Sequence, residues 1–428
     1  MEKHNYIQKR SFTTPRSNKN MQRKIILVFI LFLKINFLVS QINIGAEIRP
    51  RTEFRGGYKS PIESVKNMVI LTDQRTRLSF GYKESDLELK ISMQDVRIWG
   101  AIPMVGANGS SLGVTDAWLK YIFKSNANVK IGRQEISLDN ERIFGALNWA
   151  QAGRFHDAIC LNLFKKDSLN LNYHLNVFGT INQNQNTLVK ERFNVQGSYK
   201  SLLGVHYAWA IPSKLINGSL LGASVFYPTA TTDTQSLTWN LNTYGATANV
   251  KMGMVFLGLE GYIQNRSITS KTDFLGAFSA HYKSGKLTSF IGVDWLSSNF
   301  NPMFGTNHKF YGFMDYYYVG NSHQNKGLFN PYIRFDFTGN KSQLSFRAHH
   351  FRTGEWKSIL NNNSDMGEEI DLLWSRSIDK SLKFTLGWSI MRPTSLLKEI
   401  KRATPSSDIQ TWGFLQLTYK PKFNEIKL

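Results

Sequence analysis

From Gln41 to Phe423 the chain alternates apolar and polar residues in one short stretch after another. Period-2 alternation places successive side chains on opposite faces of a strand. In Ile42–Phe54, Ile42, Ile44, Ala46, Ile48 and Phe54 share one face, and Glu47, Arg49, Arg51, Glu53 and Arg55 the other. Leu87, Leu89, Ile91 and Met93 oppose Glu88, Lys90, Ser92 and Gln94, and Leu169–Val177 repeats the pattern against Asn170, Asn172, His174 and Asn176. No segment after Gln41 reaches the run of about 18 apolar residues that a spanning helix needs. A chain that is apolar on one strand face throughout must close on itself, bury that face against a second sheet, or turn it to lipid.

The connections decide among these. Short polar turns at Lys83–Asp86, Ser125–Asn128, Lys165–Ser168, Ser213–Gly218, Lys283–Lys286 and Gly339–Ser342 alternate with long ones at Ile102–Gly113, Asn182–Glu191, Thr229–Thr238, Phe300–Lys326, Thr353–Asp365 and Pro393–Asp408. Short periplasmic turns and long outer loops are the rhythm of outer-membrane barrels, and the stretches number about 18. Aromatics near strand ends, among them Tyr82, Trp99, Trp118, Phe123, Tyr199, Trp209, Tyr227, Tyr282, Trp295 and Trp374, suit interfacial girdles. A soluble sandwich or propeller also alternates, but a propeller would show a repeat of about 40–50 residues, and none is present.

The N-terminus sets the compartment. Arg23 and Lys24 precede the apolar run Ile25–Leu33, Lys34 interrupts it before Ile35–Val39, and Ser40 precedes Gln41. This is a secretory signal peptide with cleavage expected after Ser40, so residues 1–40 are an N-terminal extension and signal peptide and 41–428 one barrel. Met21 is the favoured start. Cys160 is the single cysteine, so no intrachain disulfide forms and no Cys-based zinc pattern exists. The expected location is the outer membrane of a Gram-negative bacterium.

The whole chain carries 52 bases and 31 acids; setting aside the eight bases and one acid of residues 1–40 leaves 44 and 30, a net charge of +14. An exported chain with that balance points to acidic sugars or small anions rather than nucleic acid. The arginines concentrate on the polar strand faces: Arg49, Arg51, Arg75, Arg77, Arg97, Arg133, Arg142 and Arg154, with Glu135 and Glu141 among them. A charge facing lipid costs about 2–4 kcal/mol at the midplane, so these residues are expected in the lumen unless they sit near an interface. Guanidinium grips carboxylates with two parallel bonds, and rings of Arg and Lys select anions. Alternating carboxylates keep an anion from binding too tightly to leave. The competing reading is an ion-pair ladder that only stabilises the wall.

Gly305–Asn321 lies in the longest connection, with His308, Lys309, Tyr311 and Asp315 beside further aromatics. It suits a constriction loop folded inward; alternatively the loop packs its own aromatics and caps the barrel mouth. His349 and His350 are adjacent, so they face opposite sides and share no metal. Glu368, Glu369, Asp371 and Asp408 could hold calcium, but they lack the EF-hand spacing. No cofactor and no metal are expected. A barrel hydrolase would need a rim Ser–His arrangement, and no GxSxG stands in the chain, so no enzymatic activity is expected.

Three stretches resemble the alginate-export family of outer-membrane barrels. One is QRTRLSFG (Gln74–Gly81) leading into DLELKISMQDVRIWG (Asp86–Gly100). The second lies within Asp116–Trp149, where DAWLKY precedes IGRQEISLDNERIFGALNW, and GRFHDA (Gly153–Ala158) follows. The third is GTNHKFYGFMDYYYVGN (Gly305–Asn321). The resemblance implies a monomeric, 18-stranded barrel with an arginine-lined, electropositive lumen, in a family whose best-known member exports alginate. The expectation is therefore an all-β chain, a single transmembrane antiparallel up-and-down barrel. It would pass anionic solutes, an alginate-like acidic polysaccharide or oligosaccharide among them. The alternative is a general diffusion porin without glycan specificity, and behind it a barrel hydrolase. Expected partners are outer-membrane lipid and lipopolysaccharide, the barrel-assembly machinery, and anionic saccharides or small anions, with no nucleic acid and no second subunit.

Overall fold

The computed structural model describes residues 40–63, 67–102, 112–183, 198–228, 238–269, 271–317, 326–355, 364–404, 408–421, 423 and 426–427. The signal-peptide reading and the choice of Met21 fall outside them. Eighteen strands cross the molecule in chain order: β1 (Gln41–Gly56), β2 (Val69–Glu84), β3 (Leu87–Ile98), β4 (Leu112–Lys124), β5 (Ala127–Gln134), β6 (His156–Lys165), β7 (Asn172–Ile181), β8 (Ser201–Ile211), β9 (Ile216–Pro228), β10 (Thr238–Met252), β11 (Val255–Arg266), β12 (Thr272–Ser284), β13 (Leu287–Leu296), β14 (Leu328–Thr338), β15 (Ser342–Arg352), β16 (Asp365–Ser377), β17 (Leu382–Pro393) and β18 (Gln410–Tyr419). A helix, α1 (Ser395–Ile400), lies between β17 and β18, and a two-residue strand, β19 (Ile426–Lys427), pairs with the start of β1.

Each strand pairs antiparallel with the next, and β1 also pairs with β18 from Ile48↔Tyr419 to Gly56↔Thr411. The sheet therefore closes along Ile48–Gly56 of β1, and among the described residues every spanning strand has two neighbours. Tight turns join strands at one end. Gly253 (φ 61°) and Gly285 (φ 56°) occupy two of these turns, where the hairpin twist calls for a positive φ.

The two faces differ as the alternation requires. Ile44, Ile48, Leu78, Phe80, Ile91, Met93, Leu119, Ile131 and Ile159 are exposed on the outer wall of the first strands, and Ile291, Ile333, Ile370, Leu372, Leu415 and Leu417 continue the belt around the barrel. The opposite residues, among them Glu47, Arg49, Arg51, Glu53 and Arg75, are buried. This inverts a soluble protein: apolar outside, polar within, as hydrocarbon around the wall demands. Of the expected girdle, Tyr82 and Tyr282 belong to the outward set, whereas Trp118 donates to Asp116 on the lumenal face and Tyr199 is buried inside.

Candidate functional site

The lumen is not an empty cylinder. The β5–β6 connection (residues 135–155) and the described part of the β13–β14 connection (residues 297–317) both turn inward. They join as a short parallel bridge between Phe144 and Phe304. Gly145 N–H donates to Phe304 O at 2.8 Å, Phe304 N–H to Ile143 O at 3.0 Å and Thr306 N–H to Glu141 O at 2.9 Å. Ile136, Leu138, Ile143, Phe144, Tyr311, Phe313, Met314, Tyr316 and Tyr317 are buried in the resulting core. Phe144 meets Phe178 of β7 edge-on at 5.3 Å, so the loops are anchored to the wall as well as to each other. Asp139, Glu141, Leu147 and Asp315 hold positive φ angles in these two loops. Such conformations cost energy for residues other than glycine and persist only where packing enforces them.

Most of the predicted arginines serve this partition. Arg49 on β1 donates to Gln151 Oε1 at 2.9 Å and to Asn148 O at 2.8 Å. Arg51 donates to Trp149 O at 2.9 Å, pairs with Glu53 at 2.9 Å and Asp73 at 3.1 Å, and lies 4.4 Å over the Trp149 ring. Arg75 on β2 is bonded to Glu47 and reaches Gln151 O at 3.4 Å. Arg77 donates to Gln94 Oε1 at 2.8 Å and faces the Phe155 ring. A buried guanidinium finds here what burial demands, several acceptors in one plane.

Arg142 and Arg154 stand on the β5–β6 loop, not on a strand. Arg142 grips Asp294 of β13 through two nitrogens at 2.8 and 3.0 Å, and Glu260 of β11 lies at 3.2 Å. Its carboxylate partners hold its pKa well above the ordinary value against the opposing effect of burial. Arg154 donates to Gly145 O at 3.2 Å and to Phe304 O. Glu141 accepts from Ser137 at 2.9 Å. Glu135 begins the loop near Asp116; burial first, and that neighbouring charge second, raise its pKa.

Two expected lumenal residues are corrected. Arg97 pairs in register with Gln74 and follows Ile91 and Met93 on the outer face; it bonds Asp95 at 2.5 Å. Arg133 lies opposite Asp157 and Ala117, on the face of Ile131 and Ile159, and bonds Asp157 at 3.0 Å. Both stand toward the long-loop end, where a paired charge can reach the interface, so the lipid penalty that motivated the lumenal assignment falls away.

The described part of the β13–β14 loop turns inward with most of its side chains packed. His308 is buried, accepts or donates through Nδ1 to Asp315 at 2.9 Å, and stacks on Trp149 at 4.1 Å. Asp315 also accepts from Tyr58 at 2.5 Å, and Tyr311 reaches Arg142 at 3.5 Å. Only Lys309 of the four named residues is exposed, its Nζ donating to Asn140 O at 3.1 Å. Residues 318–321 of the motif lie outside the described residues. His349 faces inward to Asn330 and His350 outward to Glu368, as adjacency requires. Glu369 and Asp371 are buried on the lumenal face while Glu368 is on the other, and Asp408 is bonded to Lys398.

The sequence reading missed a second set of cations. Lys90 pairs with Asp116 at 3.1 Å, Lys120 with Glu88, and Lys130 lies 5.0 Å from the Trp118 ring. Following the register, Arg51, Arg75, Arg77, Lys90 and Lys120 descend the β1–β4 wall from the long-loop end toward the short turns. The signal was present in the alternation of β3 and β4, but attention to arginine passed over lysine.

The opposite wall is different. Asn162 donates to Asn128 at 3.1 Å and meets His174 at 3.0 Å, and Asn249 donates to Asn217 at 2.9 Å. A cavity of about 680 Å³ opens there beneath Asp139 and Asn140 of the β5–β6 loop.

No protein-family model matches the chain, and no curated protein matches it in sequence. The alginate-export resemblance gains no support from these comparisons. Solved structures do match. Acinetobacter baumannii OccAB4 superposes with a TM-score of 0.59 at 9% identity, covering 91% of this chain and 100% of that one. Pseudomonas aeruginosa OccK2 (OpdF) in complex with glucuronate gives 0.58 at 12%, over 90% and 97%. Pseudomonas aeruginosa OccD3 (OpdP) gives 0.58 at 10%, over 89% and 92%. These are outer-membrane porins with an 18-strand barrel, and the shared feature is that fold. The outer membrane expected from the sequence is where such a barrel stands.

Proposed function

We propose that this barrel is an outer-membrane channel that passes small anionic solutes and carries out no chemical step on them. The observation behind this is the column of cations on β1–β4, in which Lys90 and Lys120 retain 40% and 25% of their side-chain surface beside the inward loops. An anion entering the lumen would meet a succession of positive groups, each already partnered: Arg51, Arg75, Lys90 and Lys120 by carboxylates and Arg77 by the Gln94 amide. Such sites attract without trapping, which is what conduction needs. The buried arginines above act indirectly: they hold the loops that narrow the passage.

Acidic sugars fit this reading, and a fold neighbour, OccK2, was solved with glucuronate. A long alginate-like polymer fits less well, because the two inward loops bridge the lumen through Phe144 and Phe304. The reading is tested by refolding the chain into a planar bilayer and measuring the reversal potential across a salt gradient. Anion selectivity, with competition by glucuronate, is the expected result. Cation selectivity would sink the reading, and equal block by a uronate polymer and monomer would favour polysaccharide passage.

A further inference from the structure

We propose that the amide-lined cavity on the β6–β10 wall binds the hydroxyl groups of a monosaccharide-sized sugar ring, independently of any charge the sugar carries. The proposal rests on the reading of the lumen as a passage. The cavity's volume, about 680 Å³, falls in the range of small-molecule sites. Its lining includes Asn172, His174, Asn217 and Asn249 on the wall, with Asp139 and Asn140 as a roof, and Lys165 and Lys166 are exposed at its edge where β6 ends.

The amides between roof and wall suit hydroxyl groups, and Lys165 and Lys166 at the edge admit an acidic sugar as well as a neutral one. A carboxamide presents two donors and an acceptor oxygen with two lone pairs, and neutral imidazole presents one of each. A sugar hydroxyl both donates and accepts, so it can use both halves of each amide. The bonds Asn249 to Asn217 at 2.9 Å and His174 to Asn162 at 3.0 Å fix the side chains while using only part of their capacity. Asp139, the carboxylate of the lining, is engaged by His206 at 2.9 Å. Phe164 contributes an aromatic surface to the same cavity.

The roof is held in advance. Asn140 donates to Glu260 at 2.8 Å, and its carbonyl accepts from Lys309 at 3.1 Å. A ligand would therefore not have to order the loop, which lowers the cost of binding. Idle polar lining, present only to keep the wall wet, is the alternative that the experiment must separate.

The full mature chain is refolded and its chloride current recorded with increasing glucose, using glycerol at matched viscosity as control. The expected result is saturable block by glucose beyond that of glycerol. In the double variant Asn217→Ala/Asn249→Ala the half-blocking concentration should rise roughly tenfold, the loss of two or so hydrogen bonds, with the reversal potential unchanged. Saturation-transfer NMR of glucose with the detergent-refolded chain reads the same contact without current, and His174→Ala provides a second variant should the double one fail to refold. Glucose acting no differently from glycerol, or equally on wild type and both variants, would overturn the site. Cation selectivity with glucose block intact would instead overturn the anion reading and leave the site supported.

Discussion

The two sides of the lumen solve different problems with the same alternation. On β1–β4 the inward residues are ionic: Arg49, Arg51, Arg75 and Arg77 among Glu47, Glu53 and Asp73. On β6–β10 they are largely amides, hydroxyls and imidazoles, such as Asn162, His174, Asn217, Ser219 and Thr247. The ionic side is also where loops dock, since Gln151 bonds both Arg49 and Asp73. Charged side chains hold backbone carbonyls firmly, and a docked loop needs many such bonds. A neutral wall holds less and leaves space, and a cavity of about 680 Å³ lies there. Charged anchoring thus falls on β1 and β2 and again, through Arg142, on Glu260 of β11 and Asp294 of β13, with the neutral wall between.

The sharpest way to break this division is Arg142→Ala. It leaves Asp294 and Glu260 buried without their cation. Removing one partner of a buried pair costs about 3–5 kcal/mol, enough to unseat the β5–β6 loop while the hydrogen-bonded wall persists. Larger single-channel conductance and new protease cleavage within residues 135–155 are expected, with heat-modifiable migration on gels retained. Unchanged conductance would mean the loop is held without this contact.

Next in size is Lys90→Gln with Lys120→Gln. Each accessible charge is worth about 1 kcal/mol to an anion at ~4 Å in water, or about fivefold in occupancy, so the reversal potential should move strongly toward cations. The matching change on the other side, Asn249→Asp, adds a carboxylate to the neutral wall. If anions travel along the cation column, screening over a Debye length of about 10 Å at 0.1 M salt limits its effect to below about twofold. Equal effects from the two changes would erase the distinction between the walls.

The smallest effect is expected from Glu135. Its pKa is raised, by burial and then by Asp116, so it is protonated before an ordinary glutamate as the pH falls. Protonation removes a negative charge near Arg77 and Lys90, so anion preference should rise modestly on acidification from pH 7. Glu135→Gln should show that preference at neutral pH and lose this part of the pH dependence.

Barrel, strand number and facing were legible because each follows from a period of two and from turn spacing. The site was less so. The apolar residues of β5 that face outward, Val129 and Ile131, are odd-numbered, whereas Ile136 and Leu138 are even-numbered, and this change of phase after Gln134 is the one local trace of the inward turn. What turns the chain inward is long-range: Arg49 and Arg51 wait on β1, some hundred residues earlier, for carbonyls at Asn148–Ala150. The same locality explains Arg97 and Arg133. Alternation within their own strands puts them on the outer face, but the aversion of charge to lipid was given more weight than parity. Of the three stretches singled out in the sequence, the two within Ile131–Trp149 and Gly305–Asn321 contain much of the inward loops, whereas Gln74–Gly100 lies on β2 and β3 of the wall.

The seam between β1 and β18 has a consequence for assembly. It joins the first strand of the barrel to its last spanning strand, and only the upper part of the 16-residue β1 meets β18. Apart from the short β1–β19 pairing beside it, every other described junction unites neighbours in sequence, which can zip up as hairpins at small entropic cost. This one must wait until all eighteen strands exist, and it closes a ring of more than 350 residues. Until then two strand edges lie bare, and in the hydrocarbon those unpaired groups would be costly. Closure is therefore the natural last step of folding, and the point at which an assembling factor could grip the unfinished sheet by offering a temporary edge of its own.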